Sequence, residues 1–121
     1  MQHIDKGKDA ETLAGSYLAK HGLSLVQRNY HSRHGEIDLV MADGDCIVFV
    51  EVRYRRQSAF GSSAETVDHS KQARITACAR RYLQQHPAAS ARPCRFDVVG
   101  ISGSLKNPQF DWLPDAFPAS G

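Results

Sequence analysis

The chain has 121 residues, of which 41% are hydrophobic and 23% are charged, values typical of one globular domain rather than of disordered, collagen-like or coiled-coil proteins. The longest apolar run, residues 46–50, is far shorter than the ~20 residues that span a bilayer, and the N-terminus lacks the apolar stretch of a signal peptide. The net charge is +2, but residues 51–95 carry nine bases against three acids. This basic half predicts a nucleic-acid partner, and a solvated surface with chance clustering is the alternative.

The cysteine content indicates the compartment. The chain has three cysteines, an odd number, and no C-x-x-C motif. This count argues against a disulfide scaffold or a cysteine zinc site and predicts a reducing cytoplasm. Together with the lack of a membrane span, it predicts a cytoplasmic protein that does not associate with membranes.

The first half of the chain predicts a helix followed by three strands. Apolar residues recur at helical spacing between residues 10 and 18, which predicts a helix that begins near residue 5 or 8 and ends at Gly22. An Asp-Gly pair between apolar runs, here Asp43 and Gly44, is a strong hairpin signal. The three predicted strands are residues 23–30, 35–41 and 46–54.

The second half predicts one more helix and at least one more strand. Residues 58–64 are rich in Gly, Ser and Ala and are predicted as a loop that could cover the site. Residues 66–86 form a helical pattern that Pro87 ends, and residues 95–101 form a fourth strand. Residues 102–121 are predicted as a late strand or arm that packs its aromatic residues on the body. The order α-β-β-β-α-β predicts a single α/β or α+β domain in which helices pack on a mixed sheet.

The predicted hairpin brings carboxylates together. A two-residue turn at Asp43-Gly44 places Glu36 opposite Glu51, with Asp38 diagonal to Glu51, although a bulge would alter this register. Like charges that face each other destabilise a sheet, and buried carboxylates need a compensating cation. The candidates are Arg53 on the same face and a hard divalent ion such as Mg²⁺. In the alternative interpretation, the carboxylates lie at a wet sheet edge and pair with nearby arginines, Arg33, Arg53 and Arg55.

Two strings in this hairpin resemble a known family. GEIDLV at residues 35–40 and VFVEVR at residues 48–53 resemble the bacterial YraN-type proteins, a largely uncharacterised family. These proteins belong to the restriction-endonuclease-like, or PD-(D/E)xK, nuclease superfamily and are similar in layout to archaeal Holliday-junction resolvases. The resemblance covers most of the chain, ends at RFDVV in residues 95–99, and implies the same α-β-β-β-α-β core.

The resemblance implies roles for the acidic residues. Asp38 matches the metal-binding aspartate, Glu51 matches the acid of the (D/E)xK element, and the Val52 carbonyl would complete the shell around Mg²⁺ or Mn²⁺. Glu11 matches a first-helix glutamate that assists the metal in resolvase-like members. Glu36 is expected to tune the site or orient a water molecule.

Arg53 departs from the family pattern, which has lysine at this position. Arginine stays charged and cannot act as a base, but its planar fork can neutralise charge on a phosphate. Lys71, within the apolar stripe of the second helix, is a candidate substitute for the missing lysine. A lysine that snorkels to water is the alternative for this residue.

A set of arginines is predicted to contact nucleic-acid phosphates. Such contacts fix position and carry no sequence preference, and a solvated helix face is the alternative. The predicted contact residues are Arg55, Arg56, Arg74, Arg80 and Arg81.

Three functions remain open on the sequence. The leading hypothesis is a Mg²⁺-dependent endonuclease that acts on DNA, more than on RNA, in branched or structured form. The second is a nucleic-acid-binding module that no longer cuts, and the third is a protein–protein adaptor that reuses the fold. Resolvase-like folds act as dimers on symmetric junctions, so a homodimer is expected by analogy.

Overall fold

The computed structural model describes residues 6–55 and 67–120 and has a central five-stranded sheet between helices. The strands lie in the order β1-β2-β3-β4-β5; β3 and β4 are parallel, and the other neighbours are antiparallel. The predicted mixed α+β fold and its element order are therefore confirmed. No helix within the described ranges is long and apolar enough to cross a membrane. The elements are α1 Lys6–Lys20, β1 Ser24–Ser32, β2 Gly35–Asp43, β3 Cys46–Arg55, α2 His69–Gln85, α3 Pro87–Ser90, β4 Cys94–Ser104 and β5 Asn107–Phe117.

Each face of the sheet carries its own hydrophobic core. On one face α1 packs through Ala10, Ala14 and Leu18 against residues of β2, β3 and β4. On the other face α2 packs through an apolar stripe that the helical periodicity predicts. Burying a Val, Leu or Phe side chain contributes about 1.5–3 kcal/mol, so the two cores stabilise the centre of the sheet. The buried residues of this α2 stripe are Ile75, Cys78, Ala79 and Tyr82.

The start of α2 is set by a capping aspartate. Asp68 is the N-cap, and its Oδ1 accepts a hydrogen bond from the Lys71 backbone N–H at 2.8 Å. The helix therefore begins at His69, and Lys71 lies in its first turn. The predicted start at residue 66, the predicted loop over residues 58–64 and the predicted phosphate contact Arg56 lie outside the described residues.

The β2–β3 register differs from the predicted one by two residues. Asp43 pairs with Cys46 and Met41 with Val48, so the turn residues are Gly44 and its successor, Asp45, rather than Asp43-Gly44. Gly44 has φ 57°, a conformation that favours glycine at the first central position of a type II′ turn. A shift of two residues keeps each side chain on its face, because the strand period is two.

The predicted pairing of Glu36 with Glu51 is consequently wrong. The β2–β3 ladder ends at Leu39 and Val50, and beyond this pair the two strands separate. Ile37 packs in the α2-side core, whereas Leu39 packs in the α1-side core, so β2 changes face between them. The period of two predicts that Ile37 and Leu39 share a face; this prediction is wrong, because the irregularity breaks the alternation.

A buried carboxylate, Asp97 on β4, ties β4 to β5. Asp97 is fully buried, and its two oxygens accept hydrogen bonds from Arg95 Nε at 3.0 Å and NH2 at 3.3 Å. Trp112 Nε1 and the Asp115 backbone N–H donate at 3.0 and 2.9 Å. Four donors occupy the acceptor sites of this carboxylate, so its role is structural and neither oxygen is available to a ligand.

Candidate active site

Asp38 lies where β2 and β3 separate. The residue is 9% exposed, and its Oδ2 accepts a hydrogen bond from the Val52 backbone N–H at 2.8 Å. This bond takes the place of a ladder bond that the separated strands no longer make. The carboxylate is thereby fixed in orientation at the split between the two central strands.

Glu51 lies beside Asp38 on β3 and is contacted by two cations. Its side chain is 6% exposed. Lys71 Nζ lies 3.7 Å and Arg53 NH1 lies 3.6 Å from the same atom, Glu51 Oε1. Lys71 comes from the first turn of α2, so the α2 cap and the β3 strand together aim it at the carboxylate. Lys71 therefore points into the site and not only toward water.

Burial raises the pKa of both carboxyl groups. Burial is the main cause for Asp38, opposed by the Val52 N–H. For Glu51, burial and then the charge of Asp38 raise the pKa to about 7, against the opposing effect of Lys71 and Arg53. Burial thus disfavours the charged form of both groups, and the Asp38 charge adds repulsion at Glu51. Such a pair favours a further cation.

We expect this pair to make the metal-free protein lose stability as the pH rises. The Glu51 pKa rises from 4.5 in the unfolded chain to about 7, so the folded state binds more protons between these values. The stabilisation is present below pH 4.5 and is lost as the pH rises through 7. The loss in unfolding free energy over this range is about 3 kcal/mol. Urea denaturation in EDTA at pH 5 and pH 8 measures it.

Glu51→Gln serves as the reference for that experiment. The amide does not titrate, so the difference in unfolding free energy between wild type and variant isolates the Glu51 contribution. That difference should favour the variant more at pH 8 than at pH 5. A difference that stays constant with pH contradicts the assignment. Millimolar Mg²⁺ or Mn²⁺ should stabilise the wild type more at pH 8, because the metal competes with the proton.

Glu11 approaches the pair from the α1 side. Its Oε1 lies 3.8 Å from Arg28 NH2, is shielded from water, and accepts no hydrogen bond within the described part of the chain. Burial, followed by the Asp38 charge, raises the Glu11 pKa. A buried carboxylate oxygen that accepts no hydrogen bond is costly, and the charge of Arg28 offsets part of that cost.

Glu36 lies apart from the pair. Half of its side chain is exposed, and Oε2 lies 3.4 Å from His31 Nδ1 on β1. Its charge still raises the pKa of Asp38. Glu36 is therefore at the rim of the site, and the β2–β3 register explains why Asp38 rather than Glu36 adjoins Glu51.

The residues present fit a hard divalent ion. Within residues 6–55 and 67–120, no group of three or more His, Cys, Asp or Glu side chains is arranged to hold a metal. Mg²⁺ requires less, because one or two carboxylates suffice and the remaining ligands are water. Asp38 and Glu51 supply two carboxylates, whereas Glu11 Oε1 is paired with Arg28 at 3.8 Å.

The described phosphate-contact candidates lie at the end of β3 and along α2. Arg55 is exposed at the end of β3. Arg74 is exposed and donates to Ser70 Oγ at 3.4 Å. Arg80 and Arg81 lie farther along α2, where they line a groove beside the β1–β2 turn together with Arg33. Sequence reasoning placed Arg33 only as an ion-pair partner, although its position in a tight turn between two histidines was visible.

The fold and site together define an α+β domain with a buried pair of carboxylates at the split of its two central strands. A family model described as "Uncharacterised protein family UPF0102" matches residues 10–101, and the chain belongs to this family. This confirms the resemblance to the YraN-type family. A UPF0102 protein of Nitrosococcus oceani is 52% identical over 115 residues, covering 95% of this chain and 93% of the relative.

Relatives from other bacteria agree. A UPF0102 protein of Colwellia psychrerythraea is 46% identical, covering 93% of this chain and 88% of its own length. One of Chromohalobacter salexigens is 47% identical, with coverage of 94% and 91%. These relatives carry the family description alone.

Proposed function

We propose that this protein is a Mg²⁺- or Mn²⁺-dependent endonuclease that hydrolyses phosphodiester bonds in branched or otherwise structured DNA. The observation that carries the proposal is the convergence of Lys71 and Arg53 on one oxygen of buried Glu51, which adjoins buried Asp38. Two buried acids with raised pKa values and two cations in one place are typical of a reaction centre. The α-β-β-β-α-β order of the resembled nucleases supports it.

Each side chain has a role that its position allows. Asp38 and Glu51 would hold the metal, which would neutralise charge on the scissile phosphate. The Val52 N–H keeps Asp38 in one orientation. Lys71 can donate hydrogen bonds to an attacking water molecule or to a phosphate oxygen, the role we assign to the missing motif lysine. Arg53 offers a planar fork that stabilises the charge that develops on the phosphate.

The test is a cleavage panel on the purified full chain. Labelled duplex, single-stranded, flap and four-way-junction DNA and a structured RNA are incubated with Mg²⁺, Mn²⁺ or EDTA. We expect metal-dependent cutting, strongest on a branched DNA. If every substrate stays intact in both metals, the proposed activity is wrong.

Lys71 provides the sharpest prediction about mechanism. Lys71→Met should lower the cleavage rate about a hundredfold, because a positioned donor to the reacting groups is lost. Lys71→Arg keeps the charge and should retain part of the activity. Single-turnover rates at saturating enzyme measure the effect without interference from binding. Equal rates for Lys71→Met and wild type would show that Lys71 takes no part.

A second candidate function is a nucleic-acid-binding module that no longer cuts. Arg53 favours it, because the family pattern has lysine there and arginine cannot act as a base. In this case Arg53→Lys should create cleavage in a wild-type chain that only binds. If the wild type already cuts, and Arg53→Lys changes its rate less than tenfold, the second candidate is excluded.

The setting we propose is the cytoplasm, where Cys46, Cys78 and Cys94, all free in the structure, stay reduced. Symmetric branched substrates have two scissile strands, so we also propose that the active form is a homodimer. Light scattering with and without a four-way junction measures the mass of the protein in each state. A monomer in both conditions would contradict the dimer.

A further inference from the structure

A groove with a volume of about 750 Å³ lies between the β1–β2 turn and α2. Within the described residues its lining contains no carboxylate. Its cationic or potentially cationic side chains come from both walls. They are Arg33, His31 and His34 from the β1–β2 turn and Arg80 and Arg81 from α2.

The arginines of this groove retain free donors. Arg33 is exposed, and no hydrogen bond or ion pair engages its guanidinium among the residues that the structure describes. Arg80 NH2 donates to the Ser120 carbonyl at 2.7 Å, and Arg81 NH1 donates to Gln84 Oε1 at 3.4 Å. Each guanidinium has five N–H donors, so most of them remain available to a ligand.

The groove is connected to the carboxylate site through Glu36. His31 lines it and lies 3.4 Å from Glu36, whose charge acts on Asp38. Glu36 therefore lies between the cationic lining of the groove and Asp38 in this chain of contacts.

We infer that this groove is a phosphate-binding track for DNA, in which Arg33 and Arg81 hold the sugar-phosphate backbone of the strand that reaches the carboxylate site. The inference rests on the proposed nucleic-acid function and names its binding surface. Arginine forks match phosphate oxygens in pairs, and guanidinium groups on two facing walls suit a chain of phosphates. Arg33 is thereby assigned a binding role, and the groove, more than Arg55 or Arg74, provides the affinity.

The test is DNA binding without cutting. Fluorescence anisotropy in EDTA, from 50 to 300 mM NaCl, compares wild type with the double variant Arg33→Gln, Arg81→Gln on duplex and four-way-junction DNA. Loss of two phosphate contacts should raise the Kd at least tenfold at 0.1 M salt. The negative slope of log K against log salt should become less steep by about two. The matched control is Lys20→Gln with Lys106→Gln, two exposed lysines outside the groove. The control should stay within threefold of wild type.

The outcomes separate this inference from the proposed activity. If wild type binds DNA through the groove but cuts no substrate, the proposed endonuclease activity is wrong and the phosphate-binding track is supported. If the groove variant and the control bind equally well, the track is wrong, whatever the cleavage result. Poly-glutamate is the competing probe: if it displaces DNA at equal charge concentration, the groove is an acidic-protein dock and the inference is overturned. A wild type that binds no nucleic acid also overturns it.

Discussion

We expect Asp38→Asn to lower the rate of metal-dependent DNA cleavage at least a thousandfold while leaving the fold intact. Asparagine loses the negative charge that a divalent ion needs, and transition-state stabilisation of about 4 kcal/mol is lost with it. Its carbonyl can still accept the Val52 N–H, so the local geometry survives. Single-turnover cleavage of a junction substrate in Mn²⁺ measures the rate.

The same variant has a second readout that a structural role would not give. Without metal at pH 8, Asp38→Asn should be as stable as wild type or more so, because it relieves repulsion with Glu51. The control is Asp45→Asn in the exposed β2–β3 turn, which should cut normally. Unchanged cleavage by Asp38→Asn, or lost cleavage that accompanies unfolding, would contradict the metal-binding assignment.

The second large effect concerns stability, at Asp97. We expect Asp97→Ala to lower the unfolding free energy by about 3–5 kcal/mol, because it leaves Arg95 and the Trp112 indole N–H without their buried acceptor. Urea denaturation at pH 7 measures the midpoint. The m value, which is the slope of the unfolding free energy against urea concentration, should stay the same as in wild type.

Asp43 is the matched control for that prediction. Arg95 NH1 lies 3.0 Å from Asp43 Oδ2, the same separation as between Arg95 Nε and Asp97 Oδ1, but the Asp43 side chain is 44% exposed. Solvent screens an ion pair at this exposure, so Asp43→Ala should cost only about 0.5 kcal/mol. Equal losses for the two variants would mean that burial does not decide the strength of these pairs.

The hairpin illustrates how far local patterns reach. The Asp-Gly signal correctly predicted a tight turn between two apolar strands, and the face of nearly every residue followed from the period of two. The register did not follow, because the choice between a type I′ turn at Asp43-Gly44 and a turn one residue later depends on the backbone angle at Gly44. Because the turn lies one residue later, the residue next to Glu51 is Asp38 and not Glu36.

The basic residues show the same limit. Their charge and number were visible in the sequence, and they predicted a polyanionic partner. Their grouping was not visible, since Arg33 is separated from Arg80 by 47 residues and meets it only because α2 packs across the β1–β2 turn. Of the arginines predicted to contact phosphate, Arg80 and Arg81 therefore line the groove, whereas Arg55 and Arg74 do not.

By itself, the sequence determined the family, the element order and the two amphipathic helices, and it singled out the acidic residues of the candidate site, because these follow from local periodicity and from short motifs. Only the tertiary structure decided that Lys71, a residue in the first turn of α2, reaches the same oxygen as Arg53. The physical reason is that the Asp68 cap and the apolar stripe of α2 fix where that helix begins on the sheet. Contacts between residues so distant in sequence arise from such packing and leave no local pattern to read.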